Sequence, residues 1–145
     1  MDTQDFMDLC RIISTIESAG NNWAMRFEPA VYQRMQDGAF EWEVARTKRA
    51  NKCSLNTAQM IAATSWGEFQ IMGFNLYGFL GYENSAGYYL TDTATQRQTF
   101  QDFITHKGIA FTPAQLADKE TREKFALRYN GSKAYAVKIA SLLGK

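Results

Sequence analysis

A mainly α single domain, with at most a very small β-hairpin, is predicted by three observations. Apolar residues recur at helical spacing towards both ends of the chain. Glycine and proline fall where caps and turns between short helices belong. The one stretch with any two-residue alternation, Trp23 to Phe27, is short. The 145 residues are one domain's length, and 46% hydrophobic with 21% charged residues is the composition of a packed chain, not a disordered one. The sequence shows no repeat, low-complexity tract or linker, so residues 1–145 are expected to fold as one domain.

Phe6, Leu9, Ile12, Ile13 and Ile16 share one helical face, with Asp2 or Thr3 as the cap and Gly20 as a left-handed end. Pro29 suits the first turn of a second helix, which runs to about Gln36 and stops at Asp37-Gly38. Glu41 to Lys52 is charge-rich and reads as a solvated helix or loop. Leu55 to Ser65 reads as a core helix started by Ser54 or Asn56. Gly67, Gly73, Gly78, Gly81 and Gly87 then punctuate an aromatic-rich region of turns and short helices. Thr93 to His106 is a helix ended by Gly108. Pro113 opens a brief turn, and Glu120 to Tyr129 and Lys133 to Leu143 are the last two helices.

Composition also excludes classes of function. Lys+Arg 16 against Asp+Glu 15 leaves +1, which gives no field that would favour nucleic acid or anionic lipid. One histidine, His106, and two cysteines, Cys10 and Cys53, are too few for a His/Cys metal site, so no metal or other cofactor is expected. The N-terminus MDTQDFMDLCRII carries acids where a secretion signal carries cations, and no apolar run approaches a membrane span. Synthesis in a cytoplasm without a signal peptide, free thiols and no stable membrane insertion are therefore expected.

Three features can carry chemistry. Glu17 lies in the last turn of the first helix beside Ile13 and Ile16, where the negative dipole end and burial both disfavour an ionised carboxylate. Glu28 precedes Pro29, so it is extended and suits the N-cap of the next helix, where backbone N–H groups would keep it charged. Two carboxyls pushed apart in this way suit glycoside hydrolysis, one donating a proton and the other supporting water or an oxocarbenium-like state. A capped helix end and a simple cap also account for both positions. The second feature is Ala63 to Gly73, where a lone Gln70 among glycines and large apolar residues suits a cleft floor. There Trp66, Phe69 and Phe74 could offer ring faces to sugars, although a core helix with a tight turn explains the same residues. The third is Arg128-Tyr129-Asn130-Gly131, which ends a helix and could point the Tyr129 hydroxyl into a cleft.

In this order the features resemble the lysozyme superfamily, and most closely the phage-type N-acetylmuramidase domain of endolysins. The resemblance is carried by Ile16-Glu17-Ser18-Ala19-Gly20, Phe27-Glu28-Pro29, the string from Ser65 to Gly73, Phe74-Asn75, Gly81-Tyr82, Tyr129-Asn130-Gly131 and Tyr135. It covers roughly Arg11 to Leu143. It implies a lysozyme-like fold and cleavage of the β-1,4 bond between N-acetylmuramic acid and N-acetylglucosamine. Glu17 is then the general acid and Glu28 the second carboxylate. Ser65, Trp66, Gln70, Tyr129 and Asn130 bind the glycan. The implied partner is peptidoglycan in the periplasm, reached with a holin's help by a monomeric enzyme.

Glu68 stands where relatives carry a small or apolar residue, which makes it a rival second carboxylate or an exposed passenger. A transglycosylase forming 1,6-anhydro ends would use the same residues. A Cys53/His106 peptidase or amidase and a non-catalytic glycan-binding virion protein are the remaining alternatives.

Overall fold

Small polar residues start most of the helices. In the structure, a computed structural model that describes residues 1–144, α1 (Thr3–Ser18) begins at Asp2, whose carboxylate accepts from the Asp5 N–H at 2.8 Å. β1 (Met25–Phe27), α2 (Pro29–Gln36), α3 (Glu41–Asn51) and α4 (Leu55–Ala62) follow, α4 capped by Ser54. Next come β2 (Thr64–Trp66), β3 (Ile71–Met72), α5 (Gly73–Tyr77) and α6 (Ala86–Thr91), the last capped by Ser85. α7 (Thr93–His106), α8 (Pro113–Leu116), α9 (Lys119–Asn130) and α10 (Tyr135–Leu142) complete the chain. Thr112 and Gln115 cap α8 reciprocally, and Asp118 caps α9. Each such cap is worth about 1 kcal/mol.

The chain divides into two compact units. The first joins residues 1–20 to the chain from Phe100 onward. Its α10 packs on α1 and α9, and α8 packs on α1 and α9. Leu9, Ile12, Ile13, Ile104, Leu116, Phe125 and Ile139 are almost wholly buried in it, as the helical spacing of the apolar residues requires. Tyr129 stacks on Phe125 with ring centres 5.3 Å apart and meets Phe100 and Phe103 edge-on.

The second unit runs from Asn21 to Thr99. Here α3, α4 and α5 pack on one another around Met35, Val44, Ala58, Ala62 and Ala63. The segment read as a solvated helix or loop is the helix α3, which buries Val44 and Thr47. β1, β2 and β3 form an antiparallel sheet in that order, so the small hairpin gains a third strand. Arg26 faces Ser65 across one ladder, and Ser65 faces Met72 across the other.

The sheet also corrects the predicted length of the core helix. α4 ends at Ala62, because Thr64-Ser65-Trp66 pairs with Met25-Arg26-Phe27 instead of winding on. Tertiary pairing overrides local helical tendency, helped by a β-branched and an aromatic residue. The Thr64 hydroxyl donates to the Met60 carbonyl at 2.7 Å, satisfying an acceptor the shortened helix leaves open. Gly73 is obligatory at the exit: a Cβ there would run into the Ile61 carbonyl and stand 2.8 Å from the Ala62 Cα. Among the described residues no helix is long and apolar enough to cross a membrane.

Candidate active site

Glu17 is the penultimate residue of α1, whose closing backbone turn begins one residue earlier than predicted. Ala19 at φ 53° and Gly20 at φ 76° are both left-handed. Their N–H groups return to the Thr15 and Ser14 carbonyls at 3.2 and 3.1 Å. No basic residue occupies this last turn. The half-buried Glu17 carboxyl instead receives a hydrogen bond at 3.2 Å from the Tyr135 hydroxyl, a residue only 3% exposed. Burial, then the adjacent Glu17 charge, pushes the Tyr135 phenol far above its ordinary range. It therefore stays protonated, and it is the donor in this pair.

Tyr129 is half-buried two residues before Gly131, which caps α9 at φ 83°. Its ring is wedged among Phe100, Phe103 and Phe125, and its centre lies 6.1 Å from that of Tyr135. Asn130, the last residue of α9, is exposed.

In the other unit, the segment predicted as a cleft floor is a hairpin braced by its own side chains. Gln70 adopts φ 52°, a conformation that costs a non-glycine residue about 1 kcal/mol. Its side-chain amide N–H donates to the Gly67 carbonyl at 3.0 Å, and its amide oxygen accepts from the Ser65 hydroxyl at 2.7 Å. Two hydrogen bonds of about 1 kcal/mol each offset that strain and hold the amide in one place. Ser65 is buried, with the Arg26 carbonyl 3.3 Å away on its other side.

Trp66 does not present the open ring face expected of it. It is 6% exposed and its indole N–H donates to the Ile61 carbonyl at 3.0 Å, so it anchors the hairpin to the end of α4. Phe69 is 1% exposed, and Phe74 stacks on Phe40 at 4.4 Å, which removes both from the set of sugar platforms. Trp66 lies on β2, Phe69 in the turn after it and Phe74 on α5, and rings of this size are taken up by packing wherever the local chain turns them inward.

Glu28 stands at the N-cap of α2 in extended backbone, as its place before Pro29 predicted. Its side chain, however, makes no capping bond. The carboxylate turns back to Arg26, whose Nε lies 3.2 Å from Oε1. Glu28 continues the extended backbone one residue past β1, so its side chain falls on the same side as that of Arg26 two residues before it. That spacing was the available sign of Arg26. Glu68 is half-buried, and its backbone N–H donates to Gln96 Oε1 at 2.8 Å.

Gln96 was not foreseen. It is fully buried, and its amide nitrogen also donates to the Asn22 and Tyr89 carbonyls at 3.0 Å each. A Cβ on Gly67, which has φ 81°, would stand 2.6 Å from that amide oxygen, so glycine is required at the turn. A glutamine on a helix is ordinary surface chemistry, and nothing near Gln96 in sequence marks it as buried.

Cys10 and Cys53 form no disulfide, and Cys53 packs against the apolar cluster of the second unit. Among the described residues no three His, Cys, Asp or Glu side chains are grouped to hold a metal ion.

Three comparisons bear on this arrangement. The model of the N-acetylmuramidase family matches residues 11–145 of the chain. A protein named endolysin from Enterobacteria phage PRD1 is 45% identical to it over 130 residues, which are 86% of this chain and 87% of that one. No solved structure matches the chain.

Proposed function

This chain belongs to the N-acetylmuramidase family, and is thus a glycoside hydrolase; from that premise we propose that it cleaves the β-1,4 bond between N-acetylmuramic acid and N-acetylglucosamine in peptidoglycan, with Glu17 as general acid. The observation that carries the assignment is the half-buried Glu17 carboxyl at the negative end of α1, held by a buried tyrosine. At that end of the helix the dipole favours the neutral acid, the form a proton donor to the glycosidic oxygen needs. The Tyr135 hydrogen bond fixes the carboxyl's position and favours its charged form.

Glu17 gives its proton to the leaving oxygen as the bond to the anomeric carbon breaks. Glu28, paired with Arg26, supports the positive charge that develops on the sugar or aligns the attacking water. Gln70 and Ser65 form a fixed polar element for the glycan's amide and hydroxyl groups, with Tyr129 and Asn130 at the end of α9 as further glycan contacts. Trp66 serves this site by holding the hairpin. Similarity to the phage PRD1 endolysin supports a role in host lysis, with the periplasmic wall as the place of action.

Replacing Glu17 with Gln keeps shape and removes the proton. Digestion of purified sacculi by that variant is expected to fall by about three orders of magnitude, with thermal stability almost unchanged. Retained digestion would remove Glu17 from the mechanism. Mass spectrometry of the products separates hydrolysis from transglycosylation, since only the latter leaves 1,6-anhydro ends.

A further inference from the structure

We infer that Tyr135 positions Glu17: the α10 phenol holds one oxygen of the carboxyl, directs the proton to the other, and stabilises the carboxylate left when that proton departs. The inference rests on Glu17 being the general acid. The bond runs from Tyr135 Oη to Glu17 Oε2 at 3.2 Å and joins residues 118 apart in sequence. With Oε2 accepting from a phenol, the transferable proton belongs on Oε1. When it moves to the glycosidic oxygen, the electron pair of the breaking C–O bond stays with that oxygen. Negative charge then spreads over both carboxyl oxygens. A hydrogen bond to an ionised acceptor is stronger than one to a neutral acid, so Tyr135 favours the transition state over the ground state.

Two further observations fit this role. Tyr135 is 3% exposed, so little water competes for the bond. Its ring lies beside Tyr129, which Phe100, Phe103 and Phe125 hold in place. The tyrosine of the Tyr-Asn-Gly segment thereby supports the one whose hydroxyl reaches the acid.

The test is steady-state kinetics on soluble glycan strands with Tyr135→Phe, which keeps the ring and removes only the hydroxyl. Each variant is assayed below its own melting transition and confirmed folded by circular dichroism. The expected result is a ten- to hundredfold fall in kcat with KM within about twofold, the pattern of an interaction made in the transition state. On the Glu17→Gln background the same change should cost no further activity. Wild-type kcat in Tyr135→Phe, a change confined to KM, or an equal loss on the Glu17→Gln background would each overturn the inference. Full turnover by Glu17→Gln alone would instead remove the acid assignment beneath it.

Discussion

The surroundings of Glu17 and the hairpin from Ser65 to Gln70 are built on opposite principles. Glu17 is held by a hydroxyl 118 residues away, on the last helix. Gln70 is held by Gly67 and Ser65, three and five residues before it. A long-range brace exists only when its whole unit is folded, whereas a local brace forms wherever the turn forms. Yet the hairpin is not self-sufficient. Its turn also leans on Gln96, which bonds to Glu68 and to the carbonyls of Asn22 and Tyr89. Side-chain orientation in the hairpin is local, and its attachment to the unit is tertiary.

Gln96→Leu breaks that attachment and should have the largest effect on stability. It leaves the Glu68 N–H and the Asn22 carbonyl without their partner, while the Tyr89 carbonyl keeps the Asp92 N–H, at about 2–4 kcal/mol read from urea unfolding. A change below about 1 kcal/mol would mean that the hairpin stands without α7.

Gln70→Asn sharpens the comparison from the other side. Asparagine tolerates the left-handed backbone, so the turn is kept, but the shorter amide falls short of the Ser65 hydroxyl. A fall of about tenfold in kcat/KM, near 1.4 kcal/mol, is expected, with the melting temperature lowered by only a few degrees for the one lost bond. Unchanged kcat/KM would make the amide a brace and nothing more.

The smallest effect concerns a purely local device. Asp118 accepts from the Thr121 N–H and hydroxyl at 2.9 Å each, and these bonds hold its carboxyl below the ordinary range. Its contribution is therefore present above the unfolded carboxylate pKa and is lost as pH falls through the lower folded value. The difference in urea midpoint between the wild type and Asp118→Asn should shrink as pH is lowered from about 7 to about 3. A difference independent of pH would show that charge plays no part in this cap.

Helix boundaries were legible where their cause is local. Asp2, Pro29, Ser54 and Gly131 mark starts and stops that the structure reproduces, because a cap or a fixed φ acts within one turn. The end of α4 was misread because its cause is the pairing of Thr64–Trp66 with Met25–Phe27, a partner some forty residues earlier. The side-chain partners at the candidate site divide in the same way. Glu28 was placed correctly as the residue before a helix, but its carboxylate went to Arg26 rather than to the helix N–H groups. Trp66 was read by its chemical type as a sugar platform, and the inward face of β2 made it an anchor.

The order of residues alone determined that the chain is mainly helical, where most helices begin, and that Glu17 falls at a helix's negative end. These follow from propensity, periodicity and capping, which act over a few residues. Only the folded units decided that Tyr135 reaches Glu17, that Gln96 is buried under the turn and which aromatic rings are hidden. Such partners lie from a few dozen to over a hundred residues apart, and packing against a shared core, which no short window of sequence contains, is what brings them together.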